Sequence, residues 1–315
     1  MPTDIDHNFF IVDCHAHTYP TKELGLQSQG GESMCGNDGT IPEILNIMEK
    51  AGIARTVMVN MTPVGAMRNA SLAQLPPGLS DSEREGRIRD IDLKISGRIE
   101  RRNLWTTEIA QKNSELIPFV GLDPIMGSSA IKKEVHDKVI MHGAKGIKLV
   151  PSEQQFSPQD RRVWPIYEAA SEFDVPILAD SGKFPSGPQL GDPLLFKEVL
   201  QDFPKLKLIL AHLGRGFYDE TRVMAQNYPG ILFDCSDVVT RGKGEYLVEA
   251  PDALTDAEFI SLVRTIGTDR VLFGSDYPFL HPEWGVRRIL SLDLTDEEKG
   301  AILGGNAARI LGLEI

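Results

Sequence analysis

The residues best suited to chemistry stand at the ends of short apolar runs. The clearest group is DCHAH, where Asp13, His15 and His17 follow the apolar residues Phe9–Val12. Residues two apart in a strand point the same way, so His15 and His17 would project side by side. Two imidazoles so placed can bind one divalent ion through neutral nitrogens. The plainer reading is a helix cap and an ordinary polar residue, and the spacing alone does not separate the two. Further along, Lys148 lies within GIKLV, Asp180 and Ser181 follow VPILA, and His212 follows KLILA with Arg215 just beyond. Asp234 and Cys235 end GILFD, and Ser275 and Asp276 follow RVLFG. Singly, each has a structural explanation: Lys148 as a paired or snorkelling lysine, Asp234 as a turn cap. Jointly they place His, Asp and Lys at most of the apolar runs.

Imidazoles and carboxylates together hold a hard or borderline divalent ion, with an open position for water. Such an ion lowers the pKa of its water and polarises a carbonyl. A nearby carboxylate can take the proton, and a histidine can steady developing negative charge. Asp276 and His212 are the candidates for those two roles. Other hydrolytic and phosphate-binding signatures are missing: there is no GxSxG, no GxxxxGK[ST] and no HExxH.

These residues need a scaffold that gathers strand ends. Eight apolar runs alternate with helical patterns: Phe9–Val12, Arg55–Asn60, Ile117–Leu122, Gly146–Val150, Val175–Ala179, Lys207–Ala211, Gly230–Asp234 and Arg270–Gly274. The helices fall at Ile41–Ala51, Ile88–Asn113, Ser128–His142, Val163–Phe173, Asp192–Phe203, Phe217–Asn227 and Asp256–Ile266. More helical pattern closes the chain, at Pro282–Leu290, Asp296–Leu303 and Asn306–Leu313. Uniformly apolar strands between helices imply a parallel sheet covered on both faces. Eight units predict an α/β fold, a single (β/α)8 barrel over residues 1–315 with extra C-terminal helices. The competing open doubly wound sheet lacks its Gly-rich dinucleotide turn. In a barrel the active site lies at the C-terminal strand ends, where these polar residues stand. The segments Thr21–Thr40, Pro63–Arg87 and Val238–Ala253 read as loops that shape a pocket.

The bulk numbers agree. The chain has 315 residues, 41% hydrophobic and 25% charged, an ordinary globular composition. A net charge of -12 argues against nucleic acid or an anionic membrane as partner. Three cysteines form no framework and read as reduced thiols of a cytoplasmic protein. The opening MPTDIDHNFF does not read as a signal peptide, and no apolar run reaches membrane-spanning length.

DCHAH at 13–17, GIKLVP at 146–151, ILAHLG at 209–214, LFGSDYPF at 272–279 and NAARILGL at 306–313 carry a resemblance. Through them the chain resembles the amidohydrolase-2 branch of the amidohydrolase superfamily, over nearly its whole length. That branch holds metal-dependent lactone hydrolases and non-oxidative decarboxylases. The resemblance implies a (β/α)8 barrel with one divalent metal, zinc first, with manganese or iron as alternatives. It makes His15, His17 and Asp276 ligands and His212 a ligand or the catalytic histidine. Members commonly place a histidine after strand five; here Asp180 stands there. Asp180 is therefore expected either as an oxygen ligand, completing the set, or as a partner of Lys148 or Lys183. Some members are metal-free lactonases. In binuclear relatives a lysine at the position of Lys148 is carboxylated and bridges two metals, which this branch does not usually do.

The reading expected from these residues is a metal-dependent hydrolase of a small, carboxylated substrate. The alternative within the class is a non-oxidative decarboxylase of an aromatic or dienoic acid. Many decarboxylases of the branch replace the first histidine of HxH by glutamate, and the intact HxH tilts the balance to hydrolase. From another class comes a barrel that binds a small molecule without catalysis. Arg215 and Lys148 are the substrate-binding candidates, Arg215 because guanidinium matches carboxylate in bidentate fashion. A homo-oligomer is left open.

Overall fold

The computed structural model describes residues 7–184, 187–238 and 253–314. Eight parallel strands pair in sequence order. They are β1 (Ile11–Ala16), β2 (Ile53–Val59), β3 (Leu116–Gly121), β4 (Gly146–Leu149), β5 (Ile177–Ala179), β6 (Leu208–Leu210), β7 (Leu232–Asp234) and β8 (Val271–Leu272). The ring closes through single bonds. Cys14 N–H donates to the Phe273 carbonyl at 2.8 Å, and Asp276 N–H to the His15 carbonyl at 2.8 Å. These two bonds tie the ends of β1 and β8 together, so residues 260 positions apart in sequence share one rim.

Helices α1 (Lys22–Ser28) and α2 (Ile41–Ala51) follow β1, and α3 (Val64–Ala73) and α4 (Asp81–Lys112) follow β2. Then come α5 (Ser128–His136), α6 (Pro151–Gln154), α7 (Trp164–Glu172), α8 (Lys197–Asp202), α9 (Tyr218–Asn227) and α10 (Asp256–Ile266). After β8 lie α11 (Pro282–Ser291), α12 (Asp296–Gly300) and α13 (Asn306–Leu311), the extra C-terminal helices. Among the described residues no helix is long and apolar enough to cross a membrane.

The strand alternation sorts side chains into two cores. Val12, Val57, Phe119, Leu178, Ile209 and Leu272 pack inside the barrel. Ile11, Met58, Val120, Ile147, Ile177 and Leu208 pack outward against the helices. Burying each such side chain contributes about 1.5–3 kcal/mol. Lys148 sits between the outward Ile147 and Leu149 and pairs in register with the inward Leu178. The period of two therefore turns its ammonium into the barrel.

The structure departs from the sequence expectations where local signals are weak. Strand β1 runs on to Ala16, past Asp13 and His15, with two register irregularities against β2. The segment Thr21–Thr40 contains α1, which a glycine at its centre conceals. A Cβ at Gly25 would meet the Asp38 carbonyl oxygen at 1.9 Å, so close packing excludes any side chain there. The segment Pro63–Arg87 contains α3 and the first turns of α4. That helix begins at Asp81, after a Ser80–Glu83 capping box, rather than at Ile88. Most of Val238–Ala253 lies outside the described residues.

Candidate active site

The rim of the barrel holds two groups of polar side chains. In the first, His15 Nε2 and His17 Nε2 face each other at 3.3 Å. The Asp276 carboxylate lies 3.7 Å from the one and 3.6 Å from the other. Asp276 sits on a turn with φ of 60°, which swings its carboxylate back over β1. Asp13 locks that turn. Its carboxylate accepts from Ser275 N–H at 2.9 Å, from Ser275 Oγ at 2.6 Å and from His15 N–H at 3.1 Å. Burial raises the Asp13 pKa to about 7, and its oxygens are used up in holding the rim together.

His15 is oriented from behind. Its Nδ1 lies 2.9 Å from Asp234 Oδ2 and 3.1 Å from Ser236 Oγ. Ser236 Oγ gives its proton to Asp234 Oδ1, so the partners assign the imidazole proton to Nδ1 and a lone pair to Nε2. Burial, and then the Lys148 ammonium, hold His15 below its ordinary pKa, and burial first holds His17 well below. Two neutral imidazoles with converging nitrogens, one backed by a carboxylate, and a third carboxylate oxygen make a donor set that fits one divalent ion. Tetrahedral Zn–N bonds of about 2.0–2.1 Å put ligand nitrogens roughly 3.4 Å apart, close to the separation seen here.

Lys148 is fully buried, with Nζ 3.0 Å from His15 Nε2. It does not line the cavity, and its ammonium meets the same His15 nitrogen that faces His17. Its N–H and a bound ion would use the same imidazole lone pair.

The second group centres on His212, whose backbone has φ of 57°. Its Nε2 lies 2.8 Å from Asp180 Oδ1. Its Nδ1 lies 3.2 Å from the Ser236 carbonyl oxygen and 2.9 Å from Ser236 Oγ. A carboxylate and a carbonyl both only accept, so both ring nitrogens must donate, and the partners assign an imidazolium. Burial opposes that charge, but the Asp180 hydrogen bond and charge outweigh it and raise the pKa of His212. Asp180 moves the other way, to about 2: burial would raise it, and His212 overcomes that.

Asp180 thus turns neither to Lys148 nor to Lys183 but to His212. Among the described residues, three sets of three side chains bring their donor atoms within 4.8 Å of one another: His15–His17–Asp276, His15–His212–Asp234 and His212–Asp237–Asp276. Asp180 belongs to none of them. The second set is an internal hydrogen-bond network, and the third includes Asp237, which is ion-paired with Arg215. In His15–His17–Asp276 the donor atoms converge beside the cavity, which His17 and Asp276 line.

That cavity encloses about 590 Å³. His17, Asp180, His212 and Asp276 line its floor, and Arg98, Arg102 and Arg215 its sides. Arg215 reaches the cavity as expected, though its guanidinium is engaged by Asp237. Sequence reasoning missed Ser236, which bridges the two groups, and both arginines of α4. Arg98 and Arg102 are four apart on a long charged helix, which reads as a solvated face.

A closed (β/α)8 barrel with a divalent-metal donor set and an acid–base pair at the C-terminal strand ends defines a barrel enzyme of the metal-dependent kind. The chain belongs to the amidohydrolase family, in its amidohydrolase-2 branch: a family model described as amidohydrolase matches residues 12–313. The fold is shared with 2,6-dihydroxybenzoate decarboxylase from Rhizobium, at 15% identity and a TM-score of 0.68, covering 97% of this chain and 99% of that one. It is shared with 5-carboxyvanillate decarboxylase from Sphingomonas paucimobilis, at 15% identity and a TM-score of 0.65, covering 98% and 100%. A dihydroxybenzoic acid decarboxylase from Polaromonas, with bound manganese and the inhibitor 2-nitroresorcinol, matches at 16% identity and a TM-score of 0.69, covering 97% of each chain.

Proposed function

We propose that the protein is a metal-dependent, non-oxidative decarboxylase of an aromatic or dienoic carboxylic acid, in preference to the hydrolase expected from the intact HxH. The observation that carries this is the His212–Asp180 pair. Hydrolysis needs a base that takes a proton from water. Decarboxylation needs an acid that gives one to carbon, and an imidazolium held between acceptors at the cavity wall is an acid. The decarboxylases that share the fold support the same choice.

His15, His17 and Asp276 would hold one divalent ion, zinc or manganese, which supplies positive charge for substrate oxygens. Asp234 keeps His15 in the tautomer that coordinates, and Asp13 with Ser275 keeps Asp276 over it. The pair then hands the proton shared between His212 and Asp180 to the carbon that bears the carboxylate. As that C–H bond forms, the C–C bond to the carboxylate breaks, its electron pair returns to the ring or diene, and carbon dioxide leaves. Solvent reprotonates the pair.

The test is carbon dioxide release by metal-loaded protein across hydroxybenzoates and dienoic acids, run beside lactones and amides. In deuterated water the product should carry one deuterium at the carbon that lost its carboxylate. His212→Gln should cost about 10²–10⁴-fold in turnover with metal content unchanged. Hydrolysis of a lactone or amide with no carbon dioxide from any acid would overturn the assignment in favour of the hydrolase. A metal-loaded protein inert to the whole panel would favour a binding barrel.

A further inference from the structure

Arg102 is a cation without an anion. It lines the cavity, and its Nη2 donates to the carbonyl of Thr18, the residue after His17. Its Nε is buried with no hydrogen-bond partner, and among the described residues no carboxylate lies within ion-pair reach. The guanidinium is clamped between rings, 5.0 Å from the Tyr19 centroid and 4.9 Å from that of Trp105. Burial, helped by the neighbouring Arg98 charge and opposed by Tyr19, lowers its pKa to about 10. Arg98, one turn earlier on α4, lines the same cavity and also lacks a carboxylate partner among the described residues.

The carboxylates around the cavity are engaged elsewhere. Asp180 holds His212, Asp276 faces the two N-terminal histidines, and Asp237 holds Arg215. Glu153, also on the wall, forms no ion pair with either arginine; burial and the nearby Asp180 raise its pKa. Two adjacent cations, one of them half-buried with its Nε fully covered, are costly to fold unless something neutralises them. Both line the cavity of about 590 Å³. The clamp fixes the guanidinium before any ligand arrives, which spares a ligand the ordering cost.

We propose that Arg102 and Arg98 form a carboxylate-recognition subsite on the α4 wall, so that the enzyme selects substrates carrying a second carboxylate besides the one it removes. This rests on the decarboxylase reading for the first carboxylate. The planar fork of Arg102 would take the second, with Arg98 adding a more exposed charge. The pairing of Arg215 with Asp237 makes α4, rather than the turn after β6, the source of that selectivity.

Isothermal titration of the metal-loaded protein with isophthalate and with benzoate tests the subsite apart from turnover. The parent should bind isophthalate about tenfold or more tightly over benzoate, the scale of a charge-assisted contact. Arg102→Met should bring the two ligands to within about twofold, with metal content unchanged; Arg102→Lys and Arg98→Met should each shrink the preference by about threefold or more. No preference in the parent, or full preference in Arg102→Met, would overturn the proposal. If Arg102→Met fails to fold, unchanged preference in both other variants overturns it. Carbon dioxide release from monocarboxylic acids without isophthalate preference sinks the subsite and leaves the decarboxylase standing. An isophthalate preference that depends on Arg102, with no carbon dioxide from any acid, does the reverse.

Discussion

His15 and His212 are stacked neighbours, 5.0 Å apart by ring centroid, both buried and both touched by an aspartate and by the hydroxyl of Ser236. Their pKa values are nonetheless driven in opposite directions. His15 is pushed below its ordinary pKa and His212 above it. Burial opposes charge on each, so burial does not distinguish them. The difference lies at the second ring nitrogen. That of His15 faces Lys148 at 3.0 Å and His17 at 3.3 Å, so protonating it would set a cation against a cation. That of His212 meets no cation: it faces the Ser236 carbonyl, while Asp180, and then Asp276 and Asp234, raise its pKa. One aspartate makes a histidine a fixed tautomer; an aspartate and an opposing acceptor make it an acid.

The harshest way to break the comparison is to remove the carboxylate that serves the neutral side. Asp276→Asn should lower metal occupancy and turnover together, the latter by about 10²–10⁴-fold, while the melting temperature of the metal-free protein changes little. Elemental analysis and turnover both near parental values would show that the neutral histidines serve some other purpose.

A milder break acts on the acid side. Asp180→Asn should leave metal content intact, since Asp180 turns to His212, and lower turnover by about ten- to a hundredfold. It should also move the alkaline limb of the rate profile to lower pH. The sign follows from linkage. The raised pKa of His212 contributes stability below its ordinary 6.5, lost as pH climbs through the raised value. The depressed pKa of Asp180 contributes above its ordinary 3.8, lost as pH falls toward about 2. The pair is therefore fully formed between those ordinary values, and the acid disappears on the alkaline side. A profile that keeps its alkaline limb in Asp180→Asn would mean that another group donates the proton, and loss of metal would make Asp180 a ligand after all.

The finest adjustment is Lys148→Met, which removes the cation facing His15 and keeps much of the volume. In metal-free protein the His15 ring should titrate at higher pH by NMR. Metal affinity should hold or rise, because the lone pair no longer has a competing donor, with an effect of less than about tenfold. A sharp fall in affinity would show that Lys148 supports the ion rather than competing with it.

Much of this was legible in the chain. The apolar runs and their order are local patterns, so the eight-stranded barrel could be read from them, and with it the rim where DCHAH, AHLG and GSDYP meet. Helix α1 was not legible, because Gly25 is required by contact with Asp38, a reason that no helix propensity carries. The fate of Asp180 was not legible either. Its place after β5 suits a ligand or an ion-pair partner equally well, and only the approach of β6 puts His212 within 2.8 Å of it.

Sequence by itself determined that His17, Asp180, His212 and Asp276 stand at the mouth of the barrel, because strand period and strand ends are properties of consecutive residues. It also determined the chemistry on offer there: two neutral-capable imidazoles, a turn carboxylate and a third histidine. Tertiary structure alone decided who partners whom. Ser236 joins His15 to His212, Asp180 pairs with His212, Lys148 turns to His15, and Arg102 lies against Tyr19 and Trp105 at the cavity wall. Those outcomes depend on distances of a few ångströms between segments far apart in the chain. Charge state in a buried site follows such distances, since the interior screens weakly and each hydrogen-bond partner counts.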